Sequence, residues 1–166
     1  MTATALHGTT PAQPIATGGW RLDVAESALA FAVVGQGAAG LQVRLGEGSE
    51  PAAPARAASF LVADLDPDGA ARVVTSCAPP ALLMSASSVR LLPADGTGRG
   101  AAVLDTGDLL VMGSATILDD EPDRWASLLR TDPEEVRGRT ENLALALLRH
   151  SSRGASVVAR RLPPTA

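Results

Sequence analysis

The run Gly107-Asp108-Leu109-Leu110-Val111-Met112-Gly113-Ser114-Ala115-Thr116-Ile117-Leu118-Asp119 constrains the fold more than any other stretch. A turn at Asp105-Thr106-Gly107 leads into consecutive apolar or small residues, the pattern of a strand buried on both faces, and the run then breaks into an acidic segment. Such a strand is a core element. The other segments are read as what surrounds it.

Upstream, alternating runs predict strands over Trp20 to Val24 and Leu29 to Val34, with Glu26-Ser27 between them as a turn. A second pair falls at Ala58 to Leu65 and Ala70 to Ser76, broken at Asp66-Pro67-Asp68-Gly69, where proline presets φ and glycine takes the positive φ that closes a hairpin. Short strands follow at Ala81 to Met84, Val89 to Leu92 and Ala101 to Leu104, and a final strand at Ala155 to Arg160. Residues 41–57 carry no assigned strand; Gly46, Gly48, Pro51 and Pro54 mark 46–56 as a surface loop. Helices are predicted at Arg124 to Leu129 and, after Asp132 as N-cap with Pro133 and Glu135 behind it, along the stripe Val136, Thr140, Leu143 and Leu147.

Three local patterns suggest chemistry and fall short of it. Gly35-Gln36-Gly37-Ala38-Ala39-Gly40 matches the glycine spacing that cradles a dinucleotide pyrophosphate, but no adequate helix follows and no acid stands about 20 residues on, so a tight glycine turn is the better reading. Asp64, Asp66, Asp68 and Gly69 open like a calcium loop, yet its twelfth position, which needs a bidentate glutamate, is Thr75. The acids of Asp119-Asp120-Glu121-Pro122-Asp123 suit the N-terminal dipole of the following helix better than a shared ion.

The 166 residues suffice for one domain with a proper core. A formal net charge of -4 disfavours nucleic acid and anionic membrane as partners, since both select clustered positive charge. The lone Cys77 cannot form an internal disulfide, and with no apolar run of membrane-spanning length the expected location is cytoplasmic. Residues 1–16, small, polar and proline-punctuated, are expected to form a flexible tail that includes His7.

Five pieces, in order, resemble the metal-dependent serine/threonine phosphatases of the PPM type, in particular their bacterial sporulation and stress-response branch. The family's GGDWYDV is similar to Gly18-Gly19-Trp20-Arg21-Leu22-Asp23-Val24, and its GDVxGHG segment to Val34-Gly35-Gln36-Gly37-Ala38-Ala39-Gly40. Its LDPxTG strand and turn resembles Leu65-Asp66-Pro67-Asp68-Gly69, followed by Ser76-Cys77-Ala78-Pro79-Pro80 in place of its AGHPPP. Its GDxLLLxTDG strand looks like Gly107 to Thr116, and its closing DDATVVVxR like Arg153 to Arg160.

The resemblance implies an α+β fold, an antiparallel β-sandwich flanked by helices, occupying residues 17–163 between the N-terminal tail and a short C-terminal tail at 164–166. It implies two manganese or magnesium ions held by aspartates, which activate water for attack on a phosphoryl group. The corresponding positions carry Trp20, Gln36, Ala115 and Gly154, and only Gln36 offers an oxygen. Asp23, Asp108 and Asp119 remain as a residual acidic set. The expectation is therefore a catalytically dead relative, a pseudophosphatase with no cofactor. The family's two long helices after the glycine turn have no counterpart in residues 41–57, so an uncovered sheet face is expected to bind a protein partner or a second copy. Two alternatives stay open: a metal-dependent phosphatase with a site rearranged around Asp23, Asp105, Asp108 and Asp119, and a small-molecule-binding module in the vacated cleft.

Overall fold

A computed structural model describes residues 10–11, 15–26, 29–37, 40–47, 59–85, 88–115 and 154–164. Its strands are β1 (Thr10–Pro11), β2 (Ile15–Thr17), β3 (Trp20–Glu26), β4 (Ala30–Gln36), β5 (Leu41–Glu47), β6 (Phe60–Leu65), β7 (Ala70–Ser76), β8 (Ala81–Met84), β9 (Val89–Leu92), β10 (Gly98–Val103), β11 (Leu109–Gly113) and β12 (Ser156–Arg161). They form two antiparallel sheets. One has seven strands in the order β1-β3-β12-β11-β8-β9 with β2 also on β3, and the other has five in the order β10-β7-β6-β5-β4.

The period-2 alternation of the strands decides which side chains meet between the sheets. Trp20, Leu22 and Val24 of β3, Leu110 and Met112 of β11, and Val157 and Ala159 of β12 share one buried cluster with Val43 and Leu45 of β5, Leu61 and Ala63 of β6, and Ala71 and Val73 of β7. That cluster is the core of the sandwich. The odd-numbered side chains of β11 go the other way: Leu109 and Val111 join Ala25, Leu82, Met84 and Val158 in a second buried cluster on the outer face of the seven-stranded sheet. The doubly buried strand read from the sequence is β11, at the sheet's centre, where each fully buried Leu contributes about 1.5–3 kcal/mol.

The turns follow the glycine chemistry. Gly18 and Gly19, both at positive φ, link Thr17 to Trp20 as the two-residue turn of the β2–β3 hairpin. At the β6–β7 hairpin the Gly69 amide donates to the Asp66 carbonyl at 3.0 Å, with Pro67 and Asp68 between, as the Pro-Asp-Gly pattern predicts. Gly37 donates to the carbonyl of Gly40 at 2.7 Å, so the glycine motif is a tight connection between β4 and β5 and is followed by a strand rather than a helix.

Three expectations change. Leu41–Glu47, unassigned from the sequence and in part read as loop, is the second strand from the edge of the five-stranded sheet; Leu41, Val43 and Leu45 alternate into the core. Its Gly46 is required, because a Cβ there would lie 2.8 Å from the ring of Phe31, which covers it from the neighbouring strand. In the segment read as a flexible tail and just past its end at residue 16, Thr10–Pro11 and Ile15–Thr17 pair with β3. The described elements are all strands, so the described residues are mainly antiparallel β; the helices predicted at 124–129 and after Asp132 lie outside the described residues, as do His7 and Asp119.

The outer face of the five-stranded sheet is mixed rather than uniformly apolar. One row across it reads Val33, Arg44, Val62, Val74, Arg99, and the next Gly35, Gln42, Asp64, Arg72, Ala101. The three valines are half-buried, and Val103 on the same face is 69% exposed. Among the described residues no helix is long and apolar enough to cross a membrane.

Candidate functional site

The strand registers locate the four positions that the resemblance assigns to metal ligands. Trp20 begins β3 opposite Arg161, whereas Ala115 and Gly154 lie just beyond the Gly113–Ser156 pair, at the level of Ala25 and past it. Five residues of strand, about 17 Å, separate Trp20 from Ala25. Gln36 ends β4 opposite Leu41, which pairs with Leu65 beside the 66–69 turn, so it shares the Trp20 end. The structure divides the four positions between the two ends of the sandwich instead of gathering them.

A hard divalent cation takes oxygen ligands, and of these side chains only Gln36 has one, a neutral amide carbonyl. Trp20 is fully buried in the core, and its indole Nε1–H donates to the Asp66 carbonyl at 2.8 Å. Ala115 offers a methyl group and Gly154 no side chain; Gln36, at an exposed strand end, has a neutral amide. At the Ala115 end the chain is closed by backbone and hydroxyl: Ser114 donates its amide to the Ala155 carbonyl, and its Oγ accepts the Ala155 amide, both at 2.9 Å. A two-metal centre of the phosphatase kind does not fit these residues.

The residual acids do not converge either. Asp108 is buried at the start of β11, where its Oδ2 accepts the Asp105 amide at 2.9 Å and fixes the turn entering the strand. Asp23 faces outward from β3 opposite Val158, two strands across and about three residues along from Asp108, or about 14 Å at ordinary sheet spacings. It is 5% exposed, its Oδ2 lacks a hydrogen-bond partner, and the Arg21 Nε lies 3.8 Å away. Burial raises its pKa above the ordinary value of 3.8, opposed in part by the charge of Arg21. Among the described residues no group of three or more His, Cys, Asp or Glu side chains is placed to hold a metal. Cys77, exposed at φ 52°, stands apart from all of these.

What the Trp20 end does contain is an open cleft of about 540 Å³ between the β2–β3 turn, the β6–β7 turn and the segment after β12. Among the described residues its only charged lining side chain is Arg161, whose guanidinium stacks 5.7 Å from the centre of the Trp20 ring while its Nη1 donates to the Gly19 carbonyl at 3.1 Å. Sequence reasoning missed this residue. The signal was present: Val157, Ala159 and Arg161 have the same parity, so an alternating strand carries an arginine on its core-facing side.

No protein-family model matches the sequence, and no curated protein matches it. Solved structures do match by shape. The PP2C phosphatase domain of the cell-fate determinant SpoIIE from Bacillus subtilis, solved with a fragment of its regulatory domain, superposes with a TM-score of 0.57 at 15% identity over 85% of this chain. The RsbU and RsbW domains of a Mycobacterium tuberculosis protein give 0.50 at 17% over 96%. RsbX in complex with magnesium gives 0.57 at 10%, covering 89% of this chain and 98% of RsbX. The chain spans 62% and 60% of the lengths of the first two structures. The fold is thus that of the PP2C, or PPM-type, phosphatase domain.

Proposed function

We propose that this phosphatase-like domain does not hydrolyse phosphoesters, holds no resident metal, and serves as a protein-binding regulatory module in cytoplasmic bacterial signalling. The observation that carries this reading is Trp20. The position that the family's first motif gives to an acidic ligand holds an indole seated in the core and hydrogen-bonded to a turn carbonyl, which offers a cation no oxygen. The proposed docking face is the outer surface of the five-stranded sheet, where half-buried valines alternate with Arg44, Arg72 and Arg99 in the manner of an interface whose apolar contacts are oriented by charge. Its occupant is a regulatory protein of the kind that the active relatives serve, or a second copy of the chain.

Calorimetric titration of the purified protein with manganese tests the catalytic half of the proposal. No heat of binding up to millimolar manganese, with no hydrolysis of p-nitrophenyl phosphate, is the expected result. Stoichiometric uptake of one or two ions together with turnover would overturn it and favour the rearranged site around Asp23, Asp105, Asp108 and Asp119.

A further inference from the structure

We propose that the cleft beside Trp20 binds a small organic monocarboxylate with an apolar body, and that Arg161 is its anion-binding residue. This is independent of whether the domain also docks a protein.

Arg161 is placed with unusual care. Its side chain runs through gaps left by two glycines: a Cβ at Gly69 would lie 2.9 Å from its Nε, and one at Gly19 would overlap its Nη1. Both glycines have positive φ, so the turns that admit the side chain are also the turns that favour glycine there. The Trp20 ring beneath completes the seat. A guanidinium presents five N–H donors in a planar fork, and among the described residues the Gly19 carbonyl is the one acceptor it uses. The nearby carboxylates are committed elsewhere. Asp66 pairs with Arg72 at 3.0 Å, Asp68 accepts the Ala70 amide at 3.2 Å, and Asp108 accepts the Asp105 amide. Among the described residues no carboxylate reaches Arg161, which is half-buried at the wall of the cleft.

The remaining walls specify the ligand. Pro67, Leu162, Pro163 and Pro164 present rigid apolar surface, and Thr17 adds a hydroxyl. The volume matches a drug-sized molecule rather than a lone ion. A fork of donors matches a carboxylate bidentately. A single charge is favoured over a phosphate dianion because one guanidinium balances one negative charge, and Asp68, Asp105 and Asp108 in the turns at this end of the sandwich disfavour a second.

The test is nuclear magnetic resonance of the full chain, following the indole N–H of Trp20, with its signal separated from that of Trp125 by a Trp125→Phe variant. The probes are benzoate, the neutral isostere benzamide, and inorganic phosphate. Benzoate should shift the Trp20 signal saturably, with half-saturation in the millimolar range. Benzamide and phosphate should not. Arg161→Gln should weaken benzoate at least about tenfold. Pro163→Asp, an exposed change that leaves the contacts of Arg161 in place, should do the same and decides the matter where Arg161→Gln fails to fold. No saturable shift up to about 50 mM benzoate would overturn the proposal. So would equal shifts from benzoate and benzamide, or benzoate binding unchanged by Pro163→Asp. Matching responses to phosphate and benzoate would mean an adventitious ion only, which also overturns it.

Discussion

Replacing Trp20 tests through stability whether its indole is a core element. The side chain is fully buried between the sheets, its Nε1–H bonds the Asp66 carbonyl at 2.8 Å, and Arg161 stacks on its face. Truncation to alanine removes a core aromatic, which costs about 3–5 kcal/mol including the cavity it leaves. The lost cation–π contact adds about 0.5–1 kcal/mol. Trp20→Ala should therefore lose about 3.5–6 kcal/mol, a large share of the roughly 5–15 kcal/mol that holds an ordinary domain together. For a chain of this length that is a fall in Tm of about 10–20 °C. Trp20→Phe keeps most of the ring and gives up the hydrogen bond. Because the Asp66 carbonyl retains the Gly69 amide as a partner, that variant should lose only about 2 kcal/mol. Urea denaturation followed by circular dichroism reads both. A loss below about 1.5 kcal/mol for Trp20→Ala would refute the claim that this residue is a core element rather than a lid over a usable site. Equal losses for the two variants would refute the division between ring and hydrogen bond.

Asp23 gives a pH test. Its folded pKa lies above 3.8, so between those values the folded chain binds more protons than the unfolded one, and stability present in acid is lost as pH rises through the folded pKa. Asp23→Asn removes that loss: urea melts should show it gaining on the wild type between pH 4 and pH 7, and the opposite trend would mean that Arg21 outweighs burial. Val62→Arg, on the outer face of the five-stranded sheet, should change stability by no more than about 0.5 kcal/mol yet abolish association through that face. Sedimentation velocity and partner capture unchanged from the wild type would remove this surface as the interface.

Legibility from sequence tracked how local each determinant is. β8, β9, β11 and β12 were readable because their apolar runs are short and bounded by Pro79-Pro80, Pro93, Gly107 or Gly154, and the Pro-Asp-Gly turn announced its own hairpin. β5 was hidden in plain alternation. Leu41-Gln42-Val43-Arg44-Leu45 follows a glycine motif that directs attention to a helix, and Gly46 looks like a breaker until Phe31 is seen lying over it. At the site, the resemblance sets Trp20 where the family carries an acid, but does not reveal that it sits at the opposite end of the sheet from Ala115 and Gly154. That depends on the pairing of β3 with β12, across more than 130 residues, which no local pattern encodes. Arg161 was overlooked for the same reason: its parity is local, but the two glycine gaps that receive it come from distant hairpins.

The strand order also governs how the chain can assemble as it is made. The five-stranded sheet is built from residues 30–103 and can close early. The seven-stranded sheet cannot, because β12 lies between β3 and β11 and is translated after both. At about 5–20 residues per second, the interval from Gly113 to Ser156 leaves β3 and β11 without their shared neighbour for roughly 2–9 s. During that time each presents an unpaired, strongly apolar edge open to a foreign strand. A ribosome that stops before Ser156 leaves not a smaller version of the domain but half a sandwich with its central seam missing.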